Sequence, residues 1–261
     1  MRVQGLFDLK GKLAIVTGGG RGIGKFVACG LAEAGANLSI ASRRIKNCLE
    51  AAEEFKKLGI QALPVECDME KAGDIENLVD LTMKTFGRID ILVNNAGTTW
   101  GAPTLEYPLD RWDKIMAVNV RGPFTLCQKV AKIMIANGGG KIINIASVMG
   151  LSGAPEETHP AIAYNSSKGA LITMTKDLAI KLAPHNIQVN AIAPGFFRTD
   201  MMAWVEGERF KSVKAQLIED IPMKRSAGED DIKGLAVLLS SAASNYMTGE
   251  IIRVDGGLLA Q

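Results

Sequence analysis

The chain has 261 residues, 47% of them apolar, and its 30 basic and 28 acidic side chains leave a net charge of +2. That length supports a large buried core, and the near-balance of charge gives no reason to expect a polyanion as partner. No apolar run reaches the roughly 18 to 20 residues of a membrane span and no secretory leader is recognisable at Met1, so a soluble cytoplasmic protein is expected.

Strand-like apolar runs fall at 13–17, 37–41, 61–65, 89–93, 141–145, 188–192 and 251–254, with helical patterns between them and no linker or repeat. Such alternation predicts an α/β fold over 1–261 as a single domain, with a doubly wound parallel sheet covered by helices on both faces. Ile75, Leu78, Val79, Thr82 and Phe86 form one core-facing stripe, and Leu171, Met174, Leu178 and Leu182 form another. Cys29, Cys48, Cys67 and Cys127 are scattered, and His159 and His185 have no Cys or His neighbours. Reduced thiols and no metal site are expected.

The first strand runs into Thr17-Gly18-Gly19-Gly20-Arg21-Gly22-Ile23-Gly24, and Ile23, Phe26, Val27, Leu31 and Ala34 continue it as a helix packed on the sheet. Glycines in a strand-to-helix turn let backbone approach a pyrophosphate, and the helix start then offers unpaired N–H groups to the anion. This is a dinucleotide-binding context. The second strand ends at Ser42, followed by Arg43 and Arg44. An acidic residue there would suit NAD(H); a small hydroxyl beside guanidinium groups, with Arg21 as a further cation, favours the 2′-phosphate of NADP(H).

Asp68 and Met69 follow the third strand, where Asp68 also suits the N-cap of a helix from Lys71. Asn94-Asn95-Ala96-Gly97 ends the fourth strand, and Trp100 just beyond it is a candidate wall of a pocket. A helical segment over 112–135 carries Asn119 and, inside it, Gly122-Pro123. Ser147 closes the fifth strand, and Tyr164 has Lys168 four residues on. At that spacing a phenol and an ammonium share one helix face. A free tyrosine has a pKa of about 10, and a neighbouring cation lowers it toward useful acid–base chemistry. Pro194-Gly195-Phe196-Phe197-Arg198-Thr199 follows the sixth strand.

These motifs, in this order from Leu9 to Gly257, resemble the short-chain dehydrogenase/reductase family. The glycine spacing (Gly18, Gly22, Gly24) is that family's own form. The resemblance implies a Rossmann sheet of seven strands in the order 3-2-1-4-5-6-7. It also implies a homotetramer whose interface uses the long helices around Asn119 and Tyr164. It implies a tetrad in which Ser147 positions a carbonyl, Tyr164 exchanges the proton, and Lys168 binds the nicotinamide ribose and lowers the Tyr164 pKa. Asn119 would hold a water linking Lys168 to solvent, and the pro-S hydride would reach the carbonyl carbon. Asp68 would contact the adenine amino group, Asn95, Ala96 and Gly97 would lie beneath the adenosine ribose, and Pro194 to Phe196 with Thr199 would meet the carboxamide or the diphosphate.

The texture around His185-Asn186-Ile187-Gln188-Val189-Asn190 resembles the 3-oxoacyl reductase and gluconate 5-dehydrogenase branch. Ser147 and Tyr164 are seventeen residues apart, longer than the family's usual gap, with the extra length in 152–160. Glu156, Glu157 and His159 lie within it, near the expected substrate. A lid is expected over about 198–222, with Met201, Met202, Trp204, Val205 and Phe210 as its apolar underside. Met149, His159, Phe196, Met202 and Trp100 complete the expected substrate pocket. The apolar lid favours a 3-oxoacyl thioester or bulky ketone over a sugar acid. A dinucleotide-sensing protein without catalysis would be expected to lose Tyr164 or Lys168, and this chain keeps both.

Overall fold

The computed structural model describes residues 2–199 and 211–260. Strand β1 (Leu13–Thr17) is buried along its whole length, because it lies between parallel neighbours β2 (Asn37–Ser42) and β4 (Ile91–Asn94) with helices over both faces. Beyond them lie β3 (Ala62–Glu66) on one side and β5 (Gly140–Ile145), β6 (Ile187–Pro194) and β7 (Ile251–Val254) on the other. The seven strands run in the order β3-β2-β1-β4-β5-β6-β7, as the resemblance implies. The chain reverses direction across the sheet between β1 and β4, so a crevice opens beyond their C-terminal ends.

Alternation within each strand divides the core. Ala14 and Val16 face a layer built by α2 (Gly22–Glu33), α3 (Ile45–Lys56) and α9 (Asp230–Ser240), through residues such as Leu31, Phe55 and Leu239. Leu13 and Ile15 face the opposite layer, where Leu78 of α4 (Ala72–Phe86) and Val130 of α6 (Gly122–Ala136) pack. A short α1 (Val3–Leu6) precedes the sheet.

Three expectations shift in position. The fourth strand begins at Ile91 rather than at 89, because the Asp90 carboxylate accepts the Leu13 N–H at 2.9 Å where a ladder bond would otherwise form. The sixth runs on to Pro194, which pairs with Val254 beyond the end of β5, where its missing N–H breaks no ladder on that side. The single helix expected over 112–135 is α5 (Leu109–Met116), a π-turn (Ala117–Arg121) and α6. The Gly122 N–H reaches back five residues to the Ala117 carbonyl. Pro123, in the first turn of α6, has no N–H to give the Asn119 carbonyl.

The long α7 (Ile162–Leu182) carries Tyr164 and Lys168 in its first two turns. Helix α8 (Lys211–Glu219) lies within the expected lid, and Phe197 bridges to Ala227 beneath it. Met201, Met202, Trp204, Val205 and Phe210 lie outside the described residues.

Candidate active site

A cleft of about 630 Å³ opens over the C-terminal ends of β1, β4, β5 and β6. One end is the glycine-rich turn. Gly18 has φ +67°, and a Cβ added to it would come within 2.6 Å of Asn95 Nδ2. A side chain on Gly24 would strike the Gly18 carbonyl. Both positions therefore require glycine. Asn95 holds the turn shut: its Nδ2 donates to the carbonyls of Thr17 (2.9 Å) and Gly18 (3.3 Å). Thr17 Oγ1 accepts from the Asn95 and Ala96 N–H groups at 3.0 and 3.1 Å. Helix α2 then starts with no side-chain cap among the described residues, so its first N–H groups face the cleft. A glycine cradle and an uncapped helix start fit a dinucleotide's diphosphate.

Ser42, Arg43, Arg44 and Arg21 line the same end. Ser42 Oγ donates to the Arg44 carbonyl at 2.9 Å and accepts from the Cys48 thiol, which fixes the strand end. Arg43 and Arg44 are exposed and form no ion pair among the described residues, and no carboxylate stands at the end of β2. Asp68 lines the cleft and is not the N-cap of α4. Lys71 occupies that position, and the Asp68 carboxylate accepts the Glu70 N–H at 3.2 Å instead. Met69 is buried beside it, its carbonyl close against Gly122.

At the other end, Tyr164 and Lys168 stand one turn apart on α7 with Ser147 facing them from the end of β5. Ser147 stands close enough to the Tyr164 phenol to favour its ionised form, and its Oγ accepts the Met149 N–H at 3.1 Å. Lys168 Nζ lies 5.6 Å from the Tyr164 ring centre and donates to the Ile145 carbonyl at 2.6 Å. Gly97 lies beside it, and a Cβ there would stand at ordinary contact distance, 3.8 Å from Nζ. Burial lowers the Lys168 pKa to about 8.

The expectation that Lys168 depresses the Tyr164 pKa is not met in the ligand-free chain. Burial raises the phenol above its ordinary value, and the Ser147 hydrogen bond only partly opposes it. A desolvated phenolate is disfavoured more strongly than these neighbours favour it.

Asn119 sits in the π-turn with both amide N–H groups and its oxygen engaged. Oδ1 accepts the Thr98 N–H at 2.8 Å, and Nδ2 donates to the Thr98 carbonyl and to Ser167 Oγ, each at 2.9 Å. Ser167 Oγ in turn donates to the Tyr164 carbonyl at 2.7 Å. The side chain is thus a bracket between three segments. Mid-helix π-turns recur at functional sites for this reason, because they turn backbone groups out of the regular ladder.

The 152–160 segment walls the cleft beside Tyr164. It is pinned to the β4–α5 connection, where Glu156 Oε2 accepts the Thr104 N–H at 2.7 Å and the Pro160 carbonyl accepts the Ala102 N–H at 2.9 Å. His159 and Thr158 line the cleft, as do Met149, Phe196 and Leu217. Trp100 does not. It is 45% exposed and turned away beneath the Arg111 guanidinium, 4.3 Å from the ring centre. Phe197 contributes to the cleft wall but is mainly core, and Thr199 approaches Gly22 across the cleft mouth.

Residues 18–259 match the family model described as enoyl-(acyl carrier protein) reductase. The chain is 39% identical over 256 residues to 2-dehydro-3-deoxy-D-gluconate 5-dehydrogenase of Escherichia coli (98% of each chain). It is 38% identical over 256 residues to the rhamnolipids biosynthesis 3-oxoacyl-(acyl-carrier-protein) reductase of Pseudomonas aeruginosa (96% of this chain, 97% of that protein). The crystal structure of a gluconate 5-dehydrogenase from Burkholderia cenocepacia in complex with NADP and tartrate superposes with a TM-score of 0.91 at 37% identity, covering all of both chains. The chain belongs to the short-chain dehydrogenase/reductase family.

Within this short-chain dehydrogenase/reductase, Ser147, Tyr164 and Lys168 of the expected tetrad meet at one end of the cleft, while Asn119 is buried outside the cleft lining, its side chain bonded to Thr98 and Ser167. Gly18, Gly20, Gly22, Ile23, Gly24, Asn95, Ala96, Gly97, Pro194 and Gly195 line the rest. Sequence reasoning missed Ser167 and Thr98, the two partners that lock Asn119. Ser167 had a readable signal, a polar residue on the sheet-facing side of α7 with no exposure. Thr98 had none, because it contributes backbone alone. Asn94 and Asn144, paired in register, join β4 to β5 at 2.9 Å, and Asn144 bonds Thr175 of α7 at the same distance.

Proposed function

We propose that this chain is an NADP(H)-dependent oxidoreductase interconverting a ketone and a secondary alcohol, with Tyr164 as general acid and base. The observation that carries the proposal is one cleft with a diphosphate cradle at one end and the Ser147–Tyr164–Lys168 constellation at the other. The preference for NADP(H) over NAD(H) rests on Arg21, Arg43 and Arg44 at the end of β2 and on the missing carboxylate there.

When bound, NADPH supplies the hydride that the carbonyl carbon accepts. Ser147 donates a hydrogen bond to the carbonyl oxygen and holds it against the phenol. Tyr164 Oη transfers its proton to that oxygen as negative charge develops there, and recovers a proton from it in the oxidative direction. Lys168, with its pKa near 8, is largely charged at neutral pH and stabilises the phenolate left behind. Asn119 carries the route back to solvent through its backbone carbonyl, with Ser167 and Thr98 holding it in place. Asp68 would contact the adenine with Met69 beside it, and Pro194, Gly195, Phe197 and Thr199 would hold the nicotinamide end or the diphosphate.

The substrate is an uncharged, bulky ketone, such as a 3-oxoacyl thioester. Among the described residues lining the cleft around Tyr164, the only cation is Lys168, which the reaction itself uses. A sugar-acid carboxylate would want another. The second reading, a gluconate-type dehydrogenase, is favoured by the names of the relatives. Exposed apolar side chains on α6 and α7, among them Phe124, Ile135 and Ile180, support a homotetramer built through those helices. Four free thiols accord with the cytoplasm. We take the whole chain to act as one nucleotide-binding unit with its lid over 198–222.

Oxidation of NADPH and of NADH is to be followed against 3-oxoacyl thioesters of several lengths, cyclic ketones and 5-ketogluconate. NADPH-linked turnover of the uncharged ketones is expected. A preference for 5-ketogluconate would move the assignment to the sugar-acid reading, and a preference for NADH would remove the arginine clamp.

A further inference from the structure

His159 is a polar group on the substrate side of the cleft that the reaction does not use. Its ring stands edge-on to Tyr164, with centres 6.1 Å apart and planes at 69°. Nε2 is engaged by Asn165 Oδ1 at 3.1 Å, while Nδ1 has no partner among the described residues and is not sealed in the interior. Hydrogen bonds fix the backbone that carries the ring. The His159 N–H donates to the Pro155 carbonyl at 2.9 Å, and the His159 carbonyl accepts the Ala161 N–H at 2.8 Å. Glu156 and Pro160 anchor the same segment to the β4–α5 connection. Burial lowers the His159 pKa, so the imidazole is neutral at pH 7 and offers hydrogen bonding without charge.

Resting on the oxidoreductase reading above, we propose that His159 is a specificity residue whose Nδ1 hydrogen-bonds a second oxygen function next to the reacting carbonyl. The enzyme would then select hydroxyketones or dicarbonyl compounds over plain ketones. Nε2–H held by Asn165 makes Nδ1 an acceptor for a hydroxyl. With the Asn165 amide rotated, Nδ1–H donates to a second carbonyl, as in a 3-oxoacyl group. The ligand chemistry is the same in both cases: an uncharged oxygen within two carbons of the ketone, facing a neutral imidazole beside the proton donor.

The test compares kcat/KM with NADPH for cyclohexanone and 2-hydroxycyclohexanone, and for pentan-2-one and ethyl 3-oxobutanoate. It uses the full chain, His159→Phe and His159→Gln, with calorimetric NADP+ binding measured on each. The parent should prefer one oxygenated member by about tenfold or more, the worth of one hydrogen bond to a partner otherwise left unpaired. His159→Phe, which keeps the ring edge against Tyr164, should bring that ratio toward one. His159→Gln, which keeps a hydrogen-bonding group, should restore part of it. Preference for the hydroxyketone identifies Nδ1 as acceptor, and preference for the oxoester identifies it as donor. Equal ratios in the parent and in His159→Phe, with NADP+ binding retained, would overturn the role of His159. Absence of turnover of any ketone by the parent with either nicotinamide would overturn the oxidoreductase reading, and this inference with it.

Discussion

Two buried lysines at opposite ends of β5 have the same electrostatics and different surroundings. Lys141, second residue of the strand, is 8% exposed and donates to Ser244 Oγ (3.2 Å) and Asn245 Oδ1 (2.9 Å). Lys168 is 4% exposed and donates to the carbonyl of Ile145, the last residue of the same strand. Burial lowers both pKa values to about 8. Only Lys168 lies in the cleft, with a phenol above it and a serine facing that phenol. A perturbed lysine is therefore not itself a site. The parallel sheet places loops and helix starts at its C-terminal edge, and on the proposed function the same ammonium takes part in chemistry there while remaining structural at the other edge.

Substituting each lysine by methionine sharpens the contrast. Lys168→Met should lose at least about a hundredfold in kcat, the scale of an impaired proton-transfer group. Lys141→Met should turn over at the parental rate. A comparable loss in both would mean that the two ends of β5 are coupled and that the contrast fails.

Stability should instead depend on pH in the same way for both variants. The folded pKa of each lysine, near 8, lies below its ordinary value of 10.5. At pH 7 both folded and unfolded chains hold the proton, and the folded chain bears the full cost of burying it. Between about pH 8 and 10.5 the unfolded chain keeps a proton that the folded chain releases, so the deficit fades as pH rises. Each methionine variant of the cofactor-free protein should gain up to about 3 kcal/mol relative to the parent between about pH 10.5 and pH 7, set against a pH-independent loss of about 1 to 3 kcal/mol for the acceptors left unpaired at Ile145, or at Ser244 and Asn245. Urea unfolding across that range checks the sign, and a gain that grows with pH would contradict it.

Smaller effects are expected around the two ends of the cleft. Arg43→Ala should weaken NADP+ binding by about tenfold, the loss of one charge-assisted contact, while NAD+ binding stays unchanged. Titration calorimetry with both nucleotides reads this directly, and an equal loss for both would show that Arg43 does not recognise the phosphate. Ser167→Ala should cost about 1 to 3 kcal/mol in stability by orphaning an Asn119 N–H, and Ser167→Thr should recover part of it. Thermal unfolding of the two variants checks that order.

Much of this was legible in the chain because β1 and β7 carry short β-branched and apolar runs bounded by glycine and charged residues, and both strands match their expected ends. The π-turn was not. Apolar periodicity continues smoothly through Asn119, and only Gly122-Pro123 hinted at an irregularity. The pairing of Tyr164 with Lys168 follows from helical spacing, but the balance of their proton affinities depends on burial, which spacing does not report. Trp100 follows the asparagine motif closely yet turns outward, since one residue of backbone decides between the cleft and the Arg111 side chain.

Stopped-flow reduction of a ketone by NADPH on the parent and on Tyr164→Phe, with NADP+ affinity measured on both, tests most directly whether Tyr164 is the proton donor. NADP+ should bind Tyr164→Phe within about threefold of the parent, while the hydride step slows by about a hundredfold or more. A Tyr164→Phe variant that reduces the ketone at close to the parental rate would contradict the assignment of the proton to Tyr164.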